Sequence, residues 1–268
     1  MNLKKTVCSI AALGMLLGCT PKTFLKDWQD NIYYYSKEIG KNDLVYFGEE
    51  HGSKYIHDLQ LEVFKELNKG KKFSVGLEMI QKNYQHVLDE YLTTDMDEDK
   101  LKKDLDWENT WGYDFNFFKP IFKYAKDKNL DIVALNAPRE IVKKVARHGL
   151  ESLVEEDYKY IPRKINLYDE EYENLKEIFK NHPGPGGDDF YRKMYQAQSI
   201  WNETMAATIV NYLKDGNRIL VIAGDGHIGQ RPAIPGRVEK RAKEEGIKLK
   251  TSIISVSNGD YLIILPEE

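Results

Sequence analysis

Four short apolar runs constrain the fold of this chain more than any other feature. Each run is too short for a core helix and is mostly apolar at successive positions, which is typical of a strand that is buried on both faces of a parallel sheet. Amphipathic segments with helical spacing lie between the runs. This alternation predicts an α/β fold with a mainly parallel β-sheet flanked by α-helices. The runs are residues 44–47, 73–79, 130–135 and 218–223.

Polar side chains end or follow each of these runs. The carboxyl ends of parallel strands meet at one edge of a sheet, where ligands bind in α/β proteins. We therefore expect two imidazoles and two or three carboxylates to converge in one crevice, a set that suits a divalent metal or a general acid–base pair. The alternative is that Glu49, Glu50 and His51 only cap the helix that follows them. The residues at the strand ends are Glu49, His51, Glu78, Asn136, Asp225 and His227.

The N-terminus has the pattern of a secretory leader. Lys4 and Lys5 precede an apolar segment that is too short to span a bilayer and that ends in small residues. Its last residues, Leu16-Leu17-Gly18-Cys19, resemble the bacterial lipobox, in which the cysteine is acylated and becomes the mature N-terminus. We predict a signal peptide at 1–18 and lipidation of Cys19, with a leader that is cleaved without lipidation as the alternative. Two or more acyl chains would hold the protein on a membrane.

Composition excludes several classes of function. The two cysteines, Cys8 and Cys19, both fall in or next to the predicted leader, so we expect no disulfide and no thiol chemistry in the mature protein. The chain carries 39 basic and 43 acidic residues, a net charge of −4, which argues against nucleic acid as a partner. The 17 tyrosines are the one unusual feature of the composition. We expect most of them to be half-buried amphipathic rings, and such a surplus of phenols matters only if a ligand for Fe(III) is needed.

Two long stretches without a strand pattern predict a smaller all-helical insert domain over the carboxyl edge of the sheet. Both contain short helical patterns, and the first also contains a dense group of aromatic side chains. Toward the C-terminus, two apolar runs joined by Asn258-Gly259 predict a β-hairpin. We assign 19–83, 123–148 and 210–268 to the sheet domain, and 84–122 and 149–209 to the helical insert.

A series of short motifs extends in order from about Val45 to Arg237. The complete set of motifs in this order is a far more specific sign of a protein family than any one motif. The motifs are Gly48-Glu49-x-His51, His57-x-x-Gln60, Leu77-Glu78-Met79, Leu135-Asn136-Ala137-Pro138, Val145-Ala146-Arg147-x-Gly149, Gln196-x-Gln198-x-x-Trp201 followed by Met205-Ala206, Gly224-x-Gly226-His227 and Ile234-Pro235-x-Arg237. In this order they resemble the ChaN-type iron-regulated lipoproteins, which are related to a wider superfamily with Tiki proteases, TraB proteins and erythromycin esterases.

The resemblance implies a function as well as a fold. It implies a parallel sheet with a smaller helical domain, in a lipid-anchored protein of the Gram-negative envelope that faces the periplasm, with the outer membrane as the expected location. It also implies binding of haem, Fe(III) protoporphyrin, during iron acquisition, with an outer-membrane haem receptor as a further partner.

The same resemblance also implies an alternative function. In other members of the superfamily, matching Glu and Gly-x-x-His positions serve metal-dependent or general-base hydrolysis. Carried over to this sequence, these positions are Glu49, His51, Glu78 and His227. A metal-dependent hydrolase that uses a divalent metal is therefore the alternative to haem binding.

Haem binding requires an apolar slot, an axial ligand and partners for the propionates. A tyrosinate on Fe(III) suits a carrier that must release its haem. His182, in the glycine- and proline-rich loop 181–187, is a candidate propionate partner or second ligand. A slot between two copies of the helical insert would shield a flat macrocycle better than one small domain, so we expect a homodimer when haem is bound. The tyrosine candidates, which lie in or beside the helical insert, are Tyr113, Tyr158, Tyr160, Tyr191 and Tyr195.

Overall fold

The computed structural model of the protein describes residues 23–25, 35–181, 187–229, 233–256 and 261–263. Cys19 and His182 lie outside the described residues. The lipidation of Cys19 and the contact of His182 with a propionate therefore stay predictions.

The strands form a seven-stranded sheet in the order β1-β7-β6-β2-β5-β3-β4. All its neighbouring strands pair in parallel, which confirms the predicted α/β fold with a mainly parallel sheet. The four apolar runs of the sequence become β2 to β5, with small shifts at their ends. The strands are β1 Thr23–Leu25, β2 Leu44–Glu49, β3 Ser74–Gln81, β4 Ile132–Asn136, β5 Ile219–Gly224, β6 Thr251–Ser255 and β7 Tyr261–Ile263.

The predicted C-terminal hairpin is wrong. Strands β6 and β7 pair in parallel, with Ile254 beside Tyr261, and β7 also pairs in parallel with β1. An Asn-Gly pair favours a tight turn only locally, whereas the direction of an edge strand depends on both of its neighbours. Asn258 and Gly259 themselves lie outside the described residues.

Helices flank the sheet and connect its strands. Short 3₁₀ helices at Lys82–Tyr84, Phe115–Phe117, Leu150–Ser152 and Glu155–Lys159 link several of them. No helix among the described residues is both long enough and apolar enough to cross a membrane. The α-helices are α1 Lys54–Leu67, α2 Gln85–Thr93, α3 Glu98–Asp104, α4 Trp107–Thr110, α5 Lys119–Asp127, α6 Arg139–His148, α7 Asp169–Asn181, α8 Gly187–Lys214, α9 Asp225–Ile228 and α10 Ile234–Glu244.

Alternate residues of the central strands enter two different cores. On β2, Val45 and Phe47 pack in a cluster with α1, α2 and α5, whereas Leu44 and Tyr46 pack in a cluster with α8 and α10. Because both faces of β2 are buried, the strand needs apolar residues at every position. This requirement explains why the sequence shows an unbroken apolar run here instead of an alternating pattern.

The two strandless stretches of the sequence pack in different places. The aromatic group of the first stretch, including Trp107, Phe115 and Phe118, extends the core that contains α1. In the second stretch, Ala197 and Ile200 of α8 form a third core with α6. The division of the chain into a sheet domain and a helical insert stays a prediction.

Candidate functional site

Two Glu–His pairs lie at the carboxyl edge of the sheet. Glu49 ends β2, and its Oε1 accepts a hydrogen bond from His51 Nδ1 at 2.8 Å. Glu78 lies on β3, with its Oε1 3.3 Å from His227 Nε2. Strand β5 lies between β2 and β3 in the sheet, so the two pairs face each other across its end. The structure thus brings these four strand-end residues of the sequence together.

Gly224, the last residue of β5, joins the two pairs. Its N–H donates to Glu78 Oε2 at 2.6 Å. A Cβ at this position would lie 2.9 Å from His51 Cε1 and 3.5 Å from Glu78 Oε2. The absence of a side chain at Gly224 therefore lets the His51 ring lie over the end of β5, close to the second carboxylate.

The backbone of β3 is irregular next to Glu78. The register between β3 and β4 shifts between Leu77 and Gln81. Such irregularities bend a strand locally and change the direction of its side chains, and they are common beside functional sites. Glu78 follows Leu77 directly, so the irregular segment begins at the carboxylate that contacts Gly224 and His227.

Opposing effects act on the pKa of His51. Burial lowers it, but the hydrogen bond to Glu49 and the negative charges of Glu49 and Glu78 outweigh burial, so the pKa is raised above its usual value of 6.5. The ring also packs against Trp111 and Tyr113, with centroid distances of 4.7 and 5.0 Å. His51 is thus a partly exposed imidazole that holds its proton more strongly than a free histidine.

This raised pKa predicts a pH dependence of stability. A proton held more tightly in the folded state stabilises the protein fully below a pH of about 6.5, and this contribution is lost as the pH rises through the folded pKa. We expect the free energy of unfolding to fall over that window in the wild type, as measured by urea unfolding at a series of pH values. His51→Gln should remove this part of the decline. Equal slopes in the two proteins would contradict the assignment to His51.

Two buried residues of α1 support Glu49, and analysis of the strand ends alone misses them. Gln60 Nε2 donates to Glu49 Oε2 at 2.7 Å, and Gln60 Oε1 accepts from His57 Nδ1 at 3.0 Å. His57 Nε2 lies 3.0 Å from the carbonyl oxygen of His51. Residues three apart share a helix face. Polar residues at this spacing on the otherwise apolar face of α1 are the sequence feature that marks them.

A second supporting residue, Asn202, comes from α8. Its Oδ1 accepts a hydrogen bond from His227 Nδ1 at 2.6 Å, and the residue is almost fully buried. Because an amide oxygen only accepts hydrogen bonds, this contact directs the other ring nitrogen of His227 toward Glu78. Asn202 follows Trp201 of the Gln196-x-Gln198-x-x-Trp201 motif directly, but nothing in the motif indicates its role.

Two of the strand-end residues make contacts elsewhere. Asp225 Oδ1 accepts hydrogen bonds from the Ser255 hydroxyl and from the Val256 N–H, which connects β5 to the end of β6. Asn136 Oδ1 accepts a hydrogen bond from the adjacent Ala137 N–H at 2.9 Å. The Asp225 contacts tie two distant backbone segments together, whereas the Asn136 contact is local to the end of β4.

The structure does not support the divalent metal. The described residues contain no group of three or more His, Cys, Asp or Glu side chains that could hold a metal ion. The reason lies in the contacts above. Both oxygens of Glu49 are hydrogen-bonded, to His51 and Gln60, and Glu78 Oε2 accepts from Gly224. Protein donors therefore already occupy three of the four carboxylate oxygens of Glu49 and Glu78.

The candidate haem ligands lie in different environments. Tyr113 is 43% exposed and is the member of the set in ring contact with His51. Tyr160 is 38% exposed, whereas Tyr158 lies under the Arg163 guanidinium and Tyr191 is half-buried beside Phe190.

Tyr195 is the buried member of the set. Its hydroxyl donates to the Tyr168 carbonyl at 2.8 Å, and burial raises its pKa. A raised pKa disfavours the phenolate that would bind Fe(III), so Tyr195 is the least available of the candidates as the protein stands.

Comparison with known proteins identifies the family. A family model described as haem-binding uptake, Tiki superfamily, ChaN matches residues 35–238. The chain belongs to this ChaN family. The match spans most of the chain and includes Glu49, His51, Glu78 and His227. No curated protein sequence matches the chain.

Solved structures support the same fold. ChaN of Campylobacter jejuni, which binds haem cofacially, superposes with a TM-score of 0.67 at 18% identity, over 88% of this chain and 92% of that one. An erythromycin esterase variant in its open conformation superposes with a TM-score of 0.51 at 13% identity, over 85% and 73% of the two chains. Both superpositions cover more than four fifths of this chain, and they show a shared fold.

Proposed function

We propose that this protein binds haem and receives, stores or passes it on during iron acquisition. The observation that carries the proposal is the match of residues 35–238 to the haem-binding ChaN family. The described residues fit this cargo, since exposed phenols are available on the surface as ligands for Fe(III). Tyr113 and Tyr160 are the most exposed of these candidates.

A series of single tyrosine-to-phenylalanine variants tests the ligand. If Tyr113 holds the iron, Tyr113→Phe should abolish the tyrosinate charge-transfer absorption of bound haemin, while Tyr160→Phe keeps it. Each variant removes one exposed tyrosine hydroxyl, so each serves as the control for the other. Wild-type spectra in all five variants, from Tyr113→Phe to Tyr195→Phe, would show that the axial ligand is not among these tyrosines.

We further propose a homodimer that forms on haem binding. One small domain covers only part of a flat macrocycle, and the cofacial haem binding of the Campylobacter jejuni protein is consistent with two copies facing each other. Sedimentation velocity of the purified protein should show a monomer without haemin and a particle of twice the mass at saturating haemin. Equal masses in the two samples would contradict the dimer.

The location of the protein is proposed from its leader. Lipidation of Cys19 would hold the protein on an envelope membrane, which we place at the outer membrane, facing the periplasm, where an outer-membrane haem receptor could supply haem. In cells, Cys19→Ser should move the protein from the membrane fraction to the soluble periplasmic fraction. A wild-type protein that is already soluble would contradict lipidation.

A second candidate function is hydrolysis with a general base. The observation that favours it is the pair formed by Glu49 and His51, because a carboxylate that orients a partly exposed imidazole is the arrangement a general base requires. Glu78 and His227 lie close together on the other side of Gly224, where Asn202 holds Nδ1 of the His227 ring. An erythromycin esterase variant has a similar fold, but this likeness shows the fold alone.

One double variant separates the two functions. His51→Ala with His227→Ala should lower any esterase activity by about a hundredfold or more. If the haem slot lies elsewhere, the same double variant should retain haemin affinity within about twofold. Loss of haemin binding together with activity would show that both functions use one site.

A further inference from the structure

A groove of about 330 Å³ lies between α6, α7 and α8. Its volume lies at the lower end of the range for small-molecule sites. Trp201 connects the groove to the candidate site, because its ring also packs edge-on against His227 at a centroid distance of 6.4 Å. The apolar lining consists of Val142, Ala146, Leu175, Met194, Ala197 and Trp201.

Two cations, Arg139 and Lys143, are part of the same lining. They are four residues apart on α6 and therefore lie on one face of the helix, one turn from each other. Among the described residues that line the groove, none is acidic, and Gln198 is the one further polar side chain. An apolar groove with two positive charges and no negative charge complements a ligand with an apolar body and an anionic end.

Both cations can turn toward such a ligand at low cost. Lys143 forms a 2.9 Å ion pair with Glu140, but Glu140 is 81% exposed, and exposed ion pairs are weak. Arg139 donates one hydrogen bond from Nη1 to the Asn109 carbonyl, which leaves further N–H groups of the guanidinium for other acceptors.

We propose that this groove binds an amphipathic carboxylate, with the apolar body along α8 and the carboxylate between Arg139 and Lys143. A haem propionate with the adjoining edge of the macrocycle and a long-chain fatty acid share this chemistry. If the ligand is haem, the inference rests on the proposed haem-binding function. If the ligand is a fatty acid, the inference is independent of that function.

Equilibrium titration with dodecanoate tests the groove directly. Tryptophan fluorescence reports binding because Trp201 lines the groove, and dodecanol, which has the same chain without the charge, is the comparison ligand. We expect saturable binding of dodecanoate and much weaker binding of dodecanol. Ala146→Phe, which fills the groove, should weaken dodecanoate about tenfold or more. If Ala146→Phe does not fold, Met194→Trp is used in its place, because it fills the groove from α8.

A charge variant tests one of the two cations, Lys143. Lys143→Gln should weaken dodecanoate roughly threefold to tenfold, whereas Lys103→Gln, an exposed lysine of α3 away from the groove, should leave it unchanged. Absence of saturable binding, or equal affinity in the wild type and in the filled variants, would overturn the proposal.

A second titration, with haemin, separates the sources of the ligand. Competition between haemin and dodecanoate, with both weakened in Ala146→Phe, would assign the groove to haem. Binding of dodecanoate without any binding of haemin would keep the groove and refute the proposed haem function. Binding of haemin that no groove variant alters, with no binding of dodecanoate, would keep the haem function and refute the groove.

Discussion

Replacing Arg237 by methionine is expected to lower the free energy of unfolding by about 3–5 kcal/mol. Arg237 is almost fully buried on α10, and its two Nη atoms donate to the carboxylate of Glu171 at 2.5 and 2.6 Å. Its Nε lies 3.2 Å from Glu203 Oε1. Removing the guanidinium leaves the Glu171 carboxylate without its cation, whereas Glu203 keeps its ion pair with Arg241. A desolvated charge without a partner is costly.

Urea unfolding of paired variants tests this effect. Lys243→Met, on the exposed side of the same helix, is the matched control and should change the free energy of unfolding by no more than about 0.5 kcal/mol. Adding Glu171→Gln to Arg237→Met should recover part of the loss, because the unpaired charge of Glu171 disappears. A loss below about 1 kcal/mol in Arg237→Met would contradict a structural role for this ion pair.

The second large effect is expected for Gly48→Ala, which should cost about 2–3 kcal/mol of the free energy of unfolding. A Cβ at Gly48 would lie 2.1 Å from Asp225 Oδ1 and 3.3 Å from Asp225 Cα. The carboxylate cannot move away freely, because it holds the Ser255 hydroxyl and the Val256 N–H. Either β2 or the start of α9 must therefore shift, and these are the segments that carry Glu49 and His227.

Gly52→Ala is the matched control for Gly48→Ala. A Cβ at Gly52 would meet no other atom within 4 Å, so this variant should be close to neutral. Combining Gly48→Ala with Asp225→Ala should recover part of the stability, since the nearest clashing atoms are gone, as chemical denaturation would show. Equal stability of Gly48→Ala and Gly52→Ala would contradict the close approach of β2 to α9.

Much of the fold could be predicted from the sequence because burial on both faces leaves a clear pattern. Uninterrupted apolar runs such as 44–47 occur where a strand is covered on both sides, and such strands pair in parallel. The convergence of Glu49, His51, Glu78 and His227 followed from this one inference, because parallel strands end at the same edge. The ordered motifs added the family, which the match to residues 35–238 confirmed.

Other features depend on contacts between distant segments, which local patterns do not reveal. Asp225 has the same strand-end position as the site residues, yet its carboxylate binds the end of β6. Asn202 belongs to the site only because α8 crosses the sheet near His227. The C-terminal hairpin failed for the same reason, since β7 pairs with β1 as well as with β6.

An absorbance titration of haemin into the purified protein tests haem binding most directly. Haem binding predicts a saturable change at a defined stoichiometry, with the spectrum of five-coordinate, tyrosinate-ligated Fe(III). Titrations of Ala146→Phe and of the five tyrosine variants would then identify the residues that contact the haem. A featureless titration that never saturates would contradict haem binding by this chain and would leave the Glu49–His51 and Glu78–His227 pairs as the site whose chemistry has to be explained.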